Sequence, residues 1–106
     1  MVIVIIKMKA RPEKCLEFRQ TLQALMQSTR KEKGCLSHDV YQDIEYDNSF
    51  SLFQTWASRS DLDDHLRTDQ FTVLMGTRSL LRRPLEITIH EISHSAGWEA
   101  VEAARR

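Results

Sequence analysis

The stretch VIVIIKMK, residues Val2 to Lys9, decides the fold of this 106-residue chain. It is rich in β-branched residues, and its apolar side chains occupy both of the faces that alternate along an extended strand. This pattern is typical of a strand whose sheet is covered on both sides. A chain of this length forms one domain with one core. The sheet therefore needs two separate layers of cover.

The residues that follow predict a long helix and three further strands. Pro12 suits the first turn of a helix, and apolar residues then recur at steps of three and four until about Lys31, before Gly34 ends the helix. Alternating apolar residues predict three strands, at Cys35 to Asp43, Phe50 to Trp56 and Leu85 to about Ser93. A short helix pair is predicted between the last two strands.

This order of elements predicts an α+β fold. Strand, helix, strand, strand, helix pair, strand is the split βαβ pattern of the ferredoxin-like sandwich, a four-stranded antiparallel sheet with helices on one face. The apolar residues on both faces of the first strand indicate that the bare face is also buried, and a second copy of the sheet would cover it. We therefore expect a homodimer that pairs its sheets.

The expected domain covers residues 1–95 and is followed by a tail of residues 96–106. That tail is short and polar enough to fray, although Trp98 and Val101 could dock as a last helical turn.

Composition narrows the possible partners and the compartment. The 15 basic and 15 acidic residues leave no basic excess for binding nucleic acid. The longest apolar run, Val2 to Ile6, is far short of the roughly 20 residues that span a bilayer. No charged segment precedes it that could open a secretory signal, so we expect a cytoplasmic protein that does not insert into membranes. Cys15 and Cys35 lack disulfide-framework or zinc-finger spacing and are expected to be buried thiols.

Three residues are candidates for chemistry, and each also has a structural interpretation. Trp56 lies on a predicted apolar strand face and is either a core residue or a pocket wall. His65 lies near the apolar side of its helix, one turn after Asp61, which could fix the imidazole tautomer for a general base or form an ordinary surface pair. His38 shares the predicted strand face of Leu36 and Val40, where a hydrogen-bonded core histidine is the structural alternative.

Other kinds of site have little support in the sequence. His90 and His94 have the HxxxH spacing, but on a strand they would be about 13 Å apart and could not share a metal ion. With only three glycines, the chain has no Gly-rich phosphate loop and no nucleophile elbow. We therefore predict neither a metal site nor a phosphate cradle.

Several of these residues together resemble the antibiotic biosynthesis monooxygenase family. The family pattern runs SR-x-E-x-GC-x-x-Y, then W-x-S, then H-x-x-x-x-x-F, over about Val2 to Ile92 of this chain. The residues that carry the likeness are Arg30, Glu32, Gly34, Cys35, Leu36, Ser37, Trp56, Ser58, His65, Leu66 and Phe71. His38 stands where a tyrosine is more usual; the family's donor role does not carry over directly, although an imidazole could also donate or accept a proton.

The resemblance implies a ferredoxin-like subunit that dimerises through its sheets, and a range of activities. Some members oxidise quinols or polycyclic phenols with molecular oxygen and need no cofactor. In such a member His65 and His38 would be the catalytic residues, and the substrate-binding residues would be Trp56, Phe71, Met75 and Leu36. The haem-degrading branch is disfavoured because Met75 stands in the region of its histidine and no asparagine lies near Ile6.

The resemblance therefore predicts a monooxygenase of a small planar phenolic or quinol-type substrate, without cofactor. Two alternatives stay open: a non-catalytic dimer that binds a small ligand, and an isomerase of a small carbonyl compound that uses the same histidines. Dependence on oxygen would separate the three.

Overall fold

The computed structural model describes all 106 residues, and its four strands form one antiparallel sheet. The strands are β1 (Val2–Lys9), β2 (Cys35–Gln42), β3 (Ser49–Trp56) and β4 (Glu86–Glu91), in the spatial order β2-β3-β1-β4. Strand β1 is thus a central strand, paired with β3 on one side and β4 on the other. This is the predicted ferredoxin-like sheet, and the α+β fold class is confirmed.

Four α-helices accompany the sheet. They are α1 (Cys15–Thr29), α2 (Arg59–Leu66), α3 (Asp69–Met75) and α4 (Trp98–Ala104), with 3-10 turns at Pro12–Lys14 and Gly76–Leu80. The predicted first helix began at Pro12 and ran to Lys31, but its first turn is 3-10 and its last helical residue is Thr29. No helix has both the length and the apolar character needed to cross a membrane.

The core lies between one face of the sheet and helices α1, α2 and α3. Every second residue of β1 is buried there, from Val2 to Met8, and the same alternation in β3 buries the side chains from Phe50 to Trp56. Phe18, Leu22, Leu62 and Leu74 cover them from the helices. On the opposite face Ile3 and Ile5 are half-buried, and Phe53 is exposed and packs edge-on against Tyr41.

Strand β2 departs from the simple alternation that the sequence suggested. Cys35 pairs with Trp56 and Ser37 pairs with Thr55, so Leu36 is an extra residue between two consecutive pairs. Such a bulge turns the inserted side chain away from the face that alternation would give it. Leu36 is therefore 59% exposed, whereas His38 is buried, and the prediction that the two share a face is wrong.

The C-terminal segment is helical rather than frayed. Helix α4 has no buried residue, and Trp98 and Val101 are both exposed rather than docked on the domain. The last strand ends at Glu91, two residues before the predicted end, and the amide of Ile92 still bonds to the carbonyl of Met1. The division into residues 1–95 and 96–106 stays a prediction.

Candidate functional site

A small cavity on the helix side of the sheet brings two buried histidines together. It has a volume of about 10 Å³, which is the room of a single water molecule. His38 of β2 and His65 of α2 both line it, and each has a ring nitrogen that is buried without a hydrogen-bond partner. The remaining lining residues are Leu25, Thr29, Leu52, Gln54, Gln70, Phe71 and Leu74. Unpaired polar atoms are uncommon in protein interiors, so this cavity is the candidate site.

His65 is held by the carboxylate of Glu32, from the loop between α1 and β2. Its Nδ1 lies 3.0 Å from both Glu32 oxygens. A carboxylate can only accept, so Nδ1 carries a proton and donates it. In the neutral imidazole the other nitrogen, Nε2, is then a lone-pair acceptor, and it is the atom without a partner. This is the tautomer that a general base requires.

The expected partner of His65 was Asp61, and that expectation is wrong. Asp61 lies in the first turn of α2, where its carboxylate accepts a hydrogen bond from the hydroxyl of Ser58 at 3.1 Å. The Ser58 hydroxyl in turn caps the helix by accepting from the Asp61 amide. The Asp61 side chain is therefore engaged at the helix N-terminus, and Glu32 reaches His65 from another segment.

Trp56 lies behind His65 and does not line the cavity. Its side chain is completely buried, and its ring stacks on the imidazole with a centroid distance of 4.7 Å and an interplanar angle of 29°. The indole N–H donates to Oε1 of Gln54 at 2.9 Å. Trp56 is thus a core residue that also fixes the orientation of His65.

His38 is neutral at physiological pH. Burial lowers the pKa of its imidazole from 6.5 to about 4. The nearby carbonyl of Met26 and the Asp39 carboxylate oppose this shift, while His65 and Arg30 reinforce it. Nδ1 of His38 is buried without a hydrogen bond of ordinary geometry. Nε2 lies 3.4 Å from Nε2 of Gln54.

We expect the depressed pKa of His38 to make the protein less stable in acid. As the pH falls below 6.5 the unfolded chain takes up a proton at this residue, whereas the folded protein does so only near pH 4. Stability is therefore lost across that window, by up to about 3 kcal/mol. Urea unfolding of the wild type and of His38→Gln, measured from pH 7 to pH 4, should show a flatter profile for the variant. Identical pH profiles would contradict this assignment.

The motif residues between α1 and α2 hold the site in place. The guanidinium of Arg30 donates to the backbone carbonyl of His38 at 2.9 Å and contacts Asp39 at 3.3 Å. Gly34 has a φ of 82°, and a side chain there would collide with the carboxylate of Asp61. Only glycine takes this conformation readily, so it permits the tight approach of the Glu32 loop to the start of α2.

The predicted substrate-binding residues do not all reach the cavity. Phe71 lines it and packs edge-on against His65 at 5.7 Å. Met75 is half exposed and borders a separate groove with Leu81 and Leu85. Leu36 is exposed at the bulge of β2. The cavity therefore joins His65, His38 and Phe71, and their roles in binding or catalysis stay predictions.

The roles of two residues were missed from the sequence. Glu32 was part of the recognised motif, and its partner could not be named because the pairing spans 33 positions. Gln54 sits between Leu52 and Trp56 in a strand whose alternate residues are buried, and it is itself 2% exposed. A polar residue at such a position was a usable signal. No cluster of three or more His, Cys, Asp or Glu side chains is arranged to hold a metal ion.

Comparison with known proteins gives a family. The family model described as "Antibiotic biosynthesis monooxygenase" matches residues 1–76. The chain is 35% identical over 95 residues to "Uncharacterized protein sll1783" of Synechocystis, covering 89% of this chain and 65% of that protein's length. It is 32% identical over 89 residues to "Putative monooxygenase Rv0793" of Mycobacterium tuberculosis, covering 83% of this chain and 87% of the relative.

Solved structures agree with this assignment. The structure of Rv0793 superposes with a TM-score of 0.83 at 30% identity, over 91% of this chain and 98% of that one. A crystal structure from Deinococcus radiodurans, named as a "putative antibiotic biosynthesis monooxygenase", gives a TM-score of 0.85 at 26% identity, over 92% of this chain and 97% of that one. The chain therefore belongs to the antibiotic biosynthesis monooxygenase family.

Proposed function

We propose that this protein is a cofactor-independent monooxygenase of a small planar phenolic or quinol-type substrate. The observation that carries the proposal is the buried, unpartnered Nε2 of His65, whose ring is held by the Glu32 carboxylate through Nδ1. A base in this arrangement can remove a proton from a bound substrate without competition from water. Family membership and the names of the relatives support oxygenase chemistry.

The proposed reaction begins with a proton transfer to His65. Nε2 takes a proton from an acidic C–H of the phenolic substrate, and the Glu32 carboxylate stabilises the imidazolium that forms. The substrate carbanion gives one electron to molecular oxygen, and the radical pair combines to form a C–O bond. The peroxide anion takes back the proton from His65 and becomes a hydroperoxide. Loss of water then leaves a carbonyl. A CH₂ group and O₂ thus become a C=O group and H₂O, and the substrate supplies all the electrons.

The cavity has to open for such a substrate. Ligand pockets usually enclose about 300–1,000 Å³, whereas this cavity has about 10 Å³. Three of its lining residues, Gln70, Phe71 and Leu74, belong to α3, a helix of only seven residues. We infer that displacement of α3 from the sheet admits the ring system.

Oxygen consumption tests the proposal directly. Purified protein treated with a metal chelator is mixed with a panel of quinols and anthrone-type phenols, and uptake is followed with an oxygen electrode. We expect one oxygen molecule consumed per substrate converted, with one oxygen atom found in the product after labelling with ¹⁸O₂. Absence of uptake with every substrate would count against the oxygenase assignment.

An isomerase is the second candidate, since a base and a second imidazole in the same cavity also suit proton transfer between two positions of a carbonyl compound. It makes a different prediction, because no oxygen is consumed. Conversion of an enolisable ketone into its isomer under nitrogen, followed by NMR of the product, would favour it. The non-catalytic alternative predicts binding without either reaction.

We also propose that two copies pair through the face of the sheet that carries Ile3, Ile5 and Phe53. These apolar side chains lie opposite the core, and Phe53 is exposed together with Tyr41. Sheet-to-sheet pairing would remove this apolar surface from water.

Disruption of that face should change the oligomeric state. Light scattering is expected to give the mass of a dimer for the wild type and for Phe53→Leu, which keeps an apolar side chain. Phe53→Glu would bury a carboxylate on each side of the interface and should yield monomers at micromolar concentration. A dimer that is unchanged in Phe53→Glu would place the interface elsewhere.

A further inference from the structure

The side-chain amide of Gln54 has only one orientation that satisfies Trp56. The indole N–H of Trp56 is a donor with no acceptor capacity, and it points at the amide oxygen Oε1 at 2.9 Å. The amide nitrogen Nε2 of Gln54 therefore faces His38, 3.4 Å from its Nε2. An amide nitrogen can only donate, so the facing imidazole nitrogen has to accept.

This orientation determines which nitrogen of His38 holds the proton. A neutral imidazole has one donor and one acceptor nitrogen. Because Nε2 accepts from Gln54, the proton lies on Nδ1, which is buried without a partner. The unpartnered atom of His38 is therefore a donor, whereas the unpartnered Nε2 of neutral His65 is an acceptor.

Two histidines that line the cavity thus carry one donor and one acceptor without a hydrogen bond of ordinary geometry in the protein. A ligand with an acceptor oxygen and an acidic hydrogen would satisfy both, which matters because an unpaired buried polar group is costly. No Lys, Arg, Asp or Glu side chain is among the residues that line the cavity. A charged ligand would therefore lose its hydration without gaining a counter-charge.

We propose that Gln54, oriented by Trp56, is a positioning residue that keeps His38 as an Nδ1–H donor in the cavity that the His65 acceptor also lines, and that the site selects uncharged keto-phenols and enolisable ketones over carboxylates and phosphates. The ligand part of this inference rests on the proposed function of the same cavity. The tautomer part depends only on the contacts of the folded protein, so the two parts are tested separately.

The tautomer is measured by ¹⁵N NMR of the histidine rings in protein without ligand. We expect His38 of the wild type to be protonated at Nδ1 and bare at Nε2. In Gln54→Glu a carboxylate would accept from the indole and from the imidazole, so Nε2 of His38 should become protonated. Trp56→Phe removes the indole N–H, frees the amide to rotate and should give a mixture of tautomers. Protonation at Nε2 in the wild type would overturn the assignment.

Ligand selection is measured by calorimetric titration with three matched probes. The wild type is expected to bind 4-hydroxybenzaldehyde, and to bind the anion 4-hydroxybenzoate and the methyl ether 4-methoxybenzaldehyde at least about 10-fold more weakly. Gln54→Glu should lose about 10-fold in affinity for the first probe. Equal affinity for the anion would overturn the ligand class. If the wild type has the expected His38 tautomer but consumes no oxygen with any substrate, only the proposed reaction is contradicted.

Discussion

Replacing His65 by alanine is expected to lower the rate of substrate oxidation by about 100- to 10,000-fold, the usual contribution of a positioned general base. The reason is that Nε2 of His65 is an unpartnered acceptor. The Glu32 carboxylate, which accepts from Nδ1, keeps the ring in the tautomer that can act as a base. The rate is measured as initial oxygen uptake at saturating substrate. Folding of the variant is checked by circular dichroism, because His65 is buried against Trp56.

Two variants sharpen this test. Glu32→Gln keeps the size of the side chain and an oxygen that can accept from Nδ1, but it removes the carboxylate charge. A loss of roughly 10- to 100-fold is expected because the imidazolium that forms in the transition state loses its counter-charge. His94→Ala alters an exposed histidine outside the cavity and should retain the wild-type rate. A His65→Ala protein that is folded and oxidises substrate as fast as His94→Ala would exclude His65 as the base.

Replacing Trp56 by alanine should destabilise the fold by about 3–5 kcal/mol, as is typical of large aromatic side chains deleted from a core. Trp56 is completely buried at the end of β3 and packs against the ring of His65. The substitution would also remove the indole N–H that donates to Gln54, leaving the amide oxygen Oε1 without its donor. Urea-induced unfolding monitored by circular dichroism gives the free energy of unfolding.

Trp56→Phe is the matched control for that measurement. Phenylalanine keeps an aromatic ring for stacking on His65 and loses the N–H, so a smaller cost of about 1–2 kcal/mol is expected. If Trp56→Ala loses activity and Trp56→Phe keeps it, the loss is explained by unfolding of the alanine variant. Equal stability of the wild type and Trp56→Ala would contradict the packing described for this residue.

The fold class could be predicted because local sequence patterns indicate the main strands and helices. The run of β-branched residues in β1 favours a strand, and the three-and-four spacing from Cys15 onward predicts α1. Leu36 shows where pattern reading fails. A bulge adds one residue to a strand without changing its composition, so alternation assigns the wrong face to the side chain at that point.

The site was harder to predict because its key contacts join distant segments. His65 and His38 were named from the sequence, but Asp61 was favoured as the partner of His65 on account of its helical spacing. The actual partner, Glu32, comes from a loop that only the sharp turn at Gly34 brings near α2. Which of two carboxylates reaches a histidine depends on how two loops pack, and helical periodicity contains no information about that.

The different environments of the two tryptophans give the protein a built-in optical reporter. Trp98 is 71% exposed on α4, whereas Trp56 is fully buried and stacked on an imidazole that faces the cavity. Removing the first indole with Trp98→Phe would leave a single emitting ring whose fluorescence responds to its neighbour's charge. Proton transfer to His65, or the arrival of a ligand beside it, could then be followed in real time by stopped-flow spectroscopy without any added dye.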